Sequence, residues 1–219
     1  MQVHKGIFIT IEGGDGAGKT SIMEGMKQWL ASEGFEVVTT REPGGIPIAE
    51  AIRSVILDRS HTGMEARTEA LLYAAARRQH LVEKVVPALR SGAVVLCDRF
   101  VDSSLAYQGH ARGLGIEAVW EINRFAIEDI MPDITLYMDI DPEVGLARIR
   151  KEGERELDRL DMESLAFHRK VREGYGIVSA MFPERIVAIQ ADNTPEQVLH
   201  QAIEETKLRI KGFSHIDVK

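Results

Sequence analysis

An apolar run at residues 7–12 (IFITIE) breaks off into Gly13-Gly14-Asp15-Gly16-Ala17-Gly18-Lys19-Thr20, and a helical pattern resumes at Lys19. The spacing satisfies G-x-x-x-x-G-K-[ST] between a strand and a helix, which ties the opening of the chain to a strand–loop–helix unit. Glycines remove the Cβ atoms that would keep backbone N–H groups from converging on one point. The helix behind them adds its free N–H groups and the positive end of its dipole. Such a loop holds a nucleoside triphosphate. Lys19 is expected to reach the β- and γ-phosphates, and the Thr20 hydroxyl suits Mg²⁺.

The rest of the 219 residues repeats the same alternation. Strands are expected at 36–40, 93–98, 134–139 and 185–190. Helices are expected at 46–57, 65–90, 116–129 and 164–180, with further helices opening at Asp141-Pro142-Glu143 and Thr194-Pro195-Glu196. Pro87 predicts a kink or break in the 65–90 stretch, and Gly34 caps the helix that begins at Lys19. Repeated βα units imply an α/β fold, a doubly wound, mainly parallel sheet of about five strands with helices on both faces. A hydrophobic fraction of 44% supports one sizeable core, so residues 1–219 read as a single domain. Residues 150–161 (RKEGERELDRLD) are densely charged and read as an excursion from that domain.

Net charge is −7, which argues against broad capture of nucleic acid. One cysteine, Cys97, cannot form an internal disulfide, and no apolar stretch approaches a membrane span. No signal-peptide pattern is read at the start, so a cytoplasmic location is expected. Among nucleotide-binding classes, a GTPase switch would carry N-K-x-D, which the sequence lacks. A motor would usually be longer. A small kinase needs an acceptor site rich in cations and a lid that excludes water. Asp98-Arg99, at the C-terminal end of the third strand, stands where open α/β sheets bind ligands.

The stretch Asp98-Arg99-Phe100-Val101-Asp102-Ser103-Ser104-Leu105-Ala106-Tyr107-Gln108 closely resembles the thymidylate kinase signature D-R-[FYH]-x-x-S-[ST]-x-A-Y-Q. Thr40-Arg41-Glu42-Pro43-Gly44-Gly45 is similar to that family's T-R-E-P-G-G loop. Residues 71–80 (LLYAAARRQH) are similar to its L-[LM]-[FY]-A-A-x-R-x-x-H helix. Pro132-Asp133-Ile134-Thr135-Leu136-Tyr137 resembles its P-D-L-T-[IL]-Y strand, and Asp158-Arg159-Leu160-Asp161 the end of its lid. The matches run in order along most of the chain. They imply the P-loop kinase fold and transfer of the γ-phosphoryl group of ATP to dTMP, within a homodimer.

The resemblance also implies roles. ATP would lie on Gly13, Gly14, Asp15, Gly16, Ala17, Gly18, Lys19, Thr20 and Ser21, with Arg148 over adenine. Arg99 would grip the dTMP phosphate, or else pair structurally with a neighbouring acid. Tyr73 would stack on the pyrimidine while Arg77, four residues on, bonds its O4. Ala76 stands where some relatives carry an acid, so anything orienting Arg77 must come from elsewhere. Ser104 and Gln108 would read the base edge, with a helix-capping role open for Ser104, and Tyr107 would shield the deoxyribose. Arg53 would reach base or phosphate, or remain on the surface; Arg41 would face the phosphoryl path. Asp15 would hold the sugar hydroxyl and tune Mg²⁺, and Asp98 would act on Mg²⁺ through water or serve as a structural acceptor. Some relatives carry a loop arginine where Gly16 stands here. Transition-state cations would then come from an arginine-rich lid at about 148–161, from Arg155 or Arg159. Mg²⁺ accompanying ATP is the only metal expected, and ATP and dTMP the small-molecule partners.

Overall fold

The computed structural model describes residues 6–152 and 159–210. Its element order is β1 (Ile7–Gly13), α1 (Lys19–Ser32), β2 (Val37–Arg41), α2 (Pro47–Leu57), α3 (Ala66–His80), α4 (Val86–Ser91), β3 (Val94–Asp98), α5 (Val101–Ser104), α6 (Ile116–Ile127), β4 (Ile134–Asp139), α7 (Pro142–Glu152), α8 (Leu165–Met181), β5 (Ile186–Gln190) and α9 (Pro195–Arg209). The five strands pair in parallel in the order β2-β3-β1-β4-β5. β1 is central and covered on both faces, as an unbroken apolar strand requires.

Strand alternation sorts β1 between two cores. Ile9 and Ile11 face α1 and α9, packing with Ile22, Met26, Leu30, Val198 and Ala202. Phe8 faces the opposite layer, with Val95, Phe100, Val119, Val171 and Tyr175 from β3, its following loop, α6 and α8. Thr10 and Glu12 share the Phe8 face and are wholly buried, so polar partners must reach them there. The Thr10 hydroxyl meets that of Thr135 at 2.7 Å. Thr135 Oγ1 donates to Asp102 at 3.1 Å, and Arg185 grips the same carboxylate with both Nη atoms at 2.6 and 2.7 Å.

The helical stretch expected over 65–90 divides. α3 ends at His80, a wider π-type turn spans Leu81–Val85, and α4 begins at Val86 with Pro87 in its first turn. Proline lacks the N–H that an unbroken helix would use and its ring crowds the preceding turn, so the loosened turn falls just ahead of it. A second wide turn, Leu105–Ala111, follows α5.

Register fixes what the strand ends can build. Asp98 is the partner of Ile11 in β1 and of Arg41 in β2, so three loops open at one rim: residues 13–18, 42–46 and 99–100. Because β3 and β4 flank β1 on opposite sides, the chain reverses its winding there, where open α/β sheets leave a crevice.

Candidate active site

The loop after β1 wraps the head of α1. Gly18 stands before the helix at φ 81° and Gly16 at φ 74°, both left-handed. A Cβ on Gly16 would lie 2.0 Å from the Gly145 carbonyl oxygen, and one on Gly145 would lie 2.4 Å from that of Asp15. Loop and α7 thus touch backbone to backbone. Lys19 Nζ donates to the carbonyls of Gly13 at 3.2 Å and Gly14 at 2.9 Å. Burial, reinforced by the positive charge of Arg99, pushes the Lys19 ammonium down to about 8, against the pull of Asp98, Asp15 and Glu12.

Opposite the loop stands Arg99, whose backbone is left-handed at φ 68°, a conformation uncommon for a residue with a side chain. Its N–H bonds the Ile11 carbonyl at 3.0 Å. Glu12, on the Phe8 face of β1, holds the segment just beyond: Oε1 accepts the Phe100 N–H at 2.6 Å and the Ser103 N–H at 3.3 Å. Its Oε2 accepts the hydroxyls of Ser103 at 2.5 Å and Tyr175 at 2.8 Å. Burial, with Asp102 nearby, lifts the Glu12 carboxyl to about 7 against the opposing pull of Arg99, Ser103 and Tyr175. Arg99 then reaches back across the cleft. Nη2 donates to Asp15 Oδ1 at 2.8 Å, Nη1 to the Gly13 carbonyl at 2.9 Å, and the guanidinium lies over the Tyr107 ring at 5.2 Å. The ion pair offered as the plain alternative for Arg99 is therefore present, and both its members line the cleft. Asp98 Oδ1 is buried and takes no hydrogen bond among the described residues.

The cleft encloses about 800 Å³. Asp15, Gly16, Ala17, Gly18, Lys19, Thr20 and Ser21 form its floor, and Arg41, Asp98 and Arg99 its middle. Arg53, Tyr73, Arg77, Tyr107 and Gln108 form one end wall and Arg148, Ala191 and Asn193 the other. Arg77 is 2% exposed, and its partners explain how a guanidinium survives there. Nε donates to Glu42 at 2.7 Å, Nη1 to Ser104 at 3.1 Å and also to Asn123, and Nη2 to the Phe100 carbonyl at 3.0 Å. Glu42 supplies the acid that Ala76 cannot. Its other oxygen meets His80 Nδ1 at 2.9 Å, and His80 Nε2 meets the Thr40 hydroxyl at 2.7 Å. Arg53 donates to the Pro43 carbonyl at 2.9 Å, Arg41 pairs with Glu50, and Arg148 donates to the Ala191 carbonyl at 3.0 Å.

Some expected residues sit elsewhere. Gly13 and Gly14 lie beneath the floor and present carbonyls to Lys19. Ser104 is buried behind Arg77 and accepts its N–H, so it supports the arginine and does not line the cleft. Arg159, read from sequence as a lid arginine over the triphosphate, turns the other way. Nε donates to the Ile56 carbonyl at 2.8 Å and Nη2 to the buried Glu69, a carboxylate that must draw its hydrogen bonds from protein donors in place of water. Arg155 lies outside the described residues.

Over residues 11–203 the chain matches the thymidylate kinase family. It is 60% identical over 206 residues to a thymidylate kinase of Halalkalibacterium halodurans, covering 94% of this chain and 98% of that one. A second relative so named, from Geobacillus thermodenitrificans, is 58% identical over 207 residues, covering 94% and 92%. The chain belongs to the thymidylate kinase family. The crystal structure of the thymidylate kinase of Ehrlichia chaffeensis superposes with a TM-score of 0.74 at 31% identity, over 92% of this chain and 98% of that one. Membership makes the chain a nucleoside monophosphate kinase, a phosphotransferase of dTTP synthesis. No helix among the described residues is long and apolar enough to cross a membrane.

Thymidylate kinase motifs pointed to most of the cleft wall. Glu12, Glu42, Ser103, Tyr175 and Glu69 were missed as working residues. Glu42 and Ser103 sit inside the motifs themselves and Glu12 stands one residue ahead of the phosphate loop; an acid on the inner face of a central strand is a signal that could have been followed. Tyr175 carries no such mark.

Proposed function

We propose that the cleft binds ATP along the loop of residues 13–21 and dTMP against Tyr73, Arg77, Tyr107 and Gln108, and passes the γ-phosphoryl group to the 5′-phosphate of dTMP, giving dTDP and ADP. One observation carries this reading: a phosphate-cradling loop and Arg99 face each other on one rim, joined by the 2.8 Å contact to Asp15. A nucleotide 5′-phosphate, with its second pKa near 6, is largely dianionic at neutral pH, so no general base is required. The chemistry needs two anions neutralised and aligned. Lys19 releases its carbonyls for the β- and γ-phosphates. The acceptor phosphate competes with the Asp15 carboxylate for Arg99, and Asp15 turns to the sugar hydroxyl. Arg41 faces the transfer path, Arg53 closes the acceptor end, and Arg148 covers adenine.

Thr20 and Asp98 would hold Mg²⁺, Asp98 through water; a buried carboxylate oxygen lacking a donor suits a hydrated cation. Mg²⁺ would neutralise charge on the bridging phosphates. Arg155 remains the lid arginine, within a lid at about 148–161 of a single domain. The assembly is a cytoplasmic homodimer with no nucleic-acid partner; Leu71 on α3 and Phe125 on α6 are exposed apolar side chains that would serve its interface. ADP release measured against dTMP, dUMP, UMP, AMP and thymidine tests the reading. dTMP should be the fastest acceptor. Release with none overturns the kinase activity, and preference for thymidine transfers it to nucleosides.

A further inference from the structure

Glu69 lies on α3 behind the cleft wall and is almost wholly enclosed. A buried carboxylate needs donors, and three side chains meet it. Gln108 Nε2 donates to Oε1 at 2.8 Å. Arg112 approaches Oε1 through Nε and Oε2 through Nη2, at 3.4 Å each, and Arg159 donates to Oε2. Burial pulls the carboxyl upward, but the Gln108 amide and the charges of Arg112 and Arg159 outweigh it and hold it below its ordinary range. The group is ionised and accepts only.

A glutamine amide carries a donor on one side and an acceptor on the other, and a half-turn exchanges them with little change of shape. Beside an acceptor-only carboxylate one orientation survives: the NH₂ toward Glu69, the carbonyl away from it. Gln108 is 1% exposed and lines the cleft, and its side-chain Oε1 takes no donor among the described residues.

We propose that Glu69 is a positioning residue that sets pyrimidine selectivity by pinning the Gln108 amide, making that point of the wall an obligate hydrogen-bond acceptor. An acceptor there suits the N3–H of thymine or uracil and opposes the bare N3 of cytosine. This rests on the reading of Gln108 as facing the base. Glu69 never touches substrate; it decides which end of Gln108 does.

Glu69→Gln keeps the shape but can donate as well as accept, which frees Gln108 to turn over. The ratio of kcat/KM for dTMP to that for dCMP should fall about tenfold, the worth of one misdirected hydrogen bond, by loss with dTMP and gain with dCMP. A merely structural role would lower both alike. Glu69→Gln combined with Gln108→Glu restores an acceptor at the wall and should restore the ratio. Glu69→Asp retains the charge for Arg112 and Arg159 but withdraws it from Gln108, and guards against a Glu69→Gln chain that does not fold. An unchanged ratio in folded Glu69→Gln and Glu69→Asp overturns the proposal, as does failure of the double exchange to restore it. Gln108→Ala separates the two readings. Unaltered dTMP KM there removes Gln108 from the base site and the proposal with it. A raised KM alongside an unchanged ratio in the Glu69 variants removes the proposal alone.

Discussion

Glu42 is held from two directions, by Arg77 at one oxygen and His80 at the other, all three buried. Removing one member of such a cluster strands the rest in a medium that cannot solvate them. Glu42→Ala should cost about 3–5 kcal/mol in denaturant unfolding and weaken dTMP binding, since Arg77 loses the partner of its Nε. Lys19 predicts a titration. The free protein holds its ammonium until about pH 8, against 10.5 ordinarily. The unfolded chain therefore binds the extra proton between those values, and the stability of the empty protein rises as pH climbs through that window. ATP restores the charge, so binding at a pH of about 9 should take up close to one proton that binding at a pH of about 6.5 does not. Calorimetry in buffers of different ionisation heat reads the uptake, and Lys19→Met should abolish it. These groups also mark where sequence stops. Lys19, Arg77 and Arg99 announce themselves through motif and spacing. The partners of the two arginines stand far along the chain, Glu42 from Arg77 and Asp15 from Arg99, and only folding brings them together.

Elements were legible in proportion to how far local pattern dictates them. The strand 134–139 agrees in both bounds, because a buried parallel strand is a continuous apolar run ended by a polar residue. The wide turn at Leu81–Val85 was marked only by Pro87, as a break of unstated form, and the one at Leu105–Ala111 is buried on nearly every side, so it offers no one-sided apolar period to read. The seam between the phosphate loop and α7 was equally hidden, because Gly145 belongs to no motif. Its Cβ would press on the Asp15 carbonyl. Gly145→Ala should therefore move α7 away from the loop, raise KM for ATP more than for dTMP, and cost about 1–3 kcal/mol in thermal unfolding.

At the scale of the molecule, the parallel order β2-β3-β1-β4-β5 gathers three loops on one rim while both cores lie along the strands. The homodimer proposed above belongs to a different surface. Phe125 is 90% exposed, so a charge there should leave folding intact. Phe125→Glu should shift sedimentation from dimer to monomer with a melting temperature changed by only a few degrees; an unaltered dimer would exclude α6 from the interface. The contact at Gly16 reaches further. A residue bearing any side chain there would have to evict the first turn of α7, so an arginine at this position is barred by space and not merely missing. The route open to some relatives is closed to this sequence by single substitution, and any descendant that takes it must rebuild two segments at once.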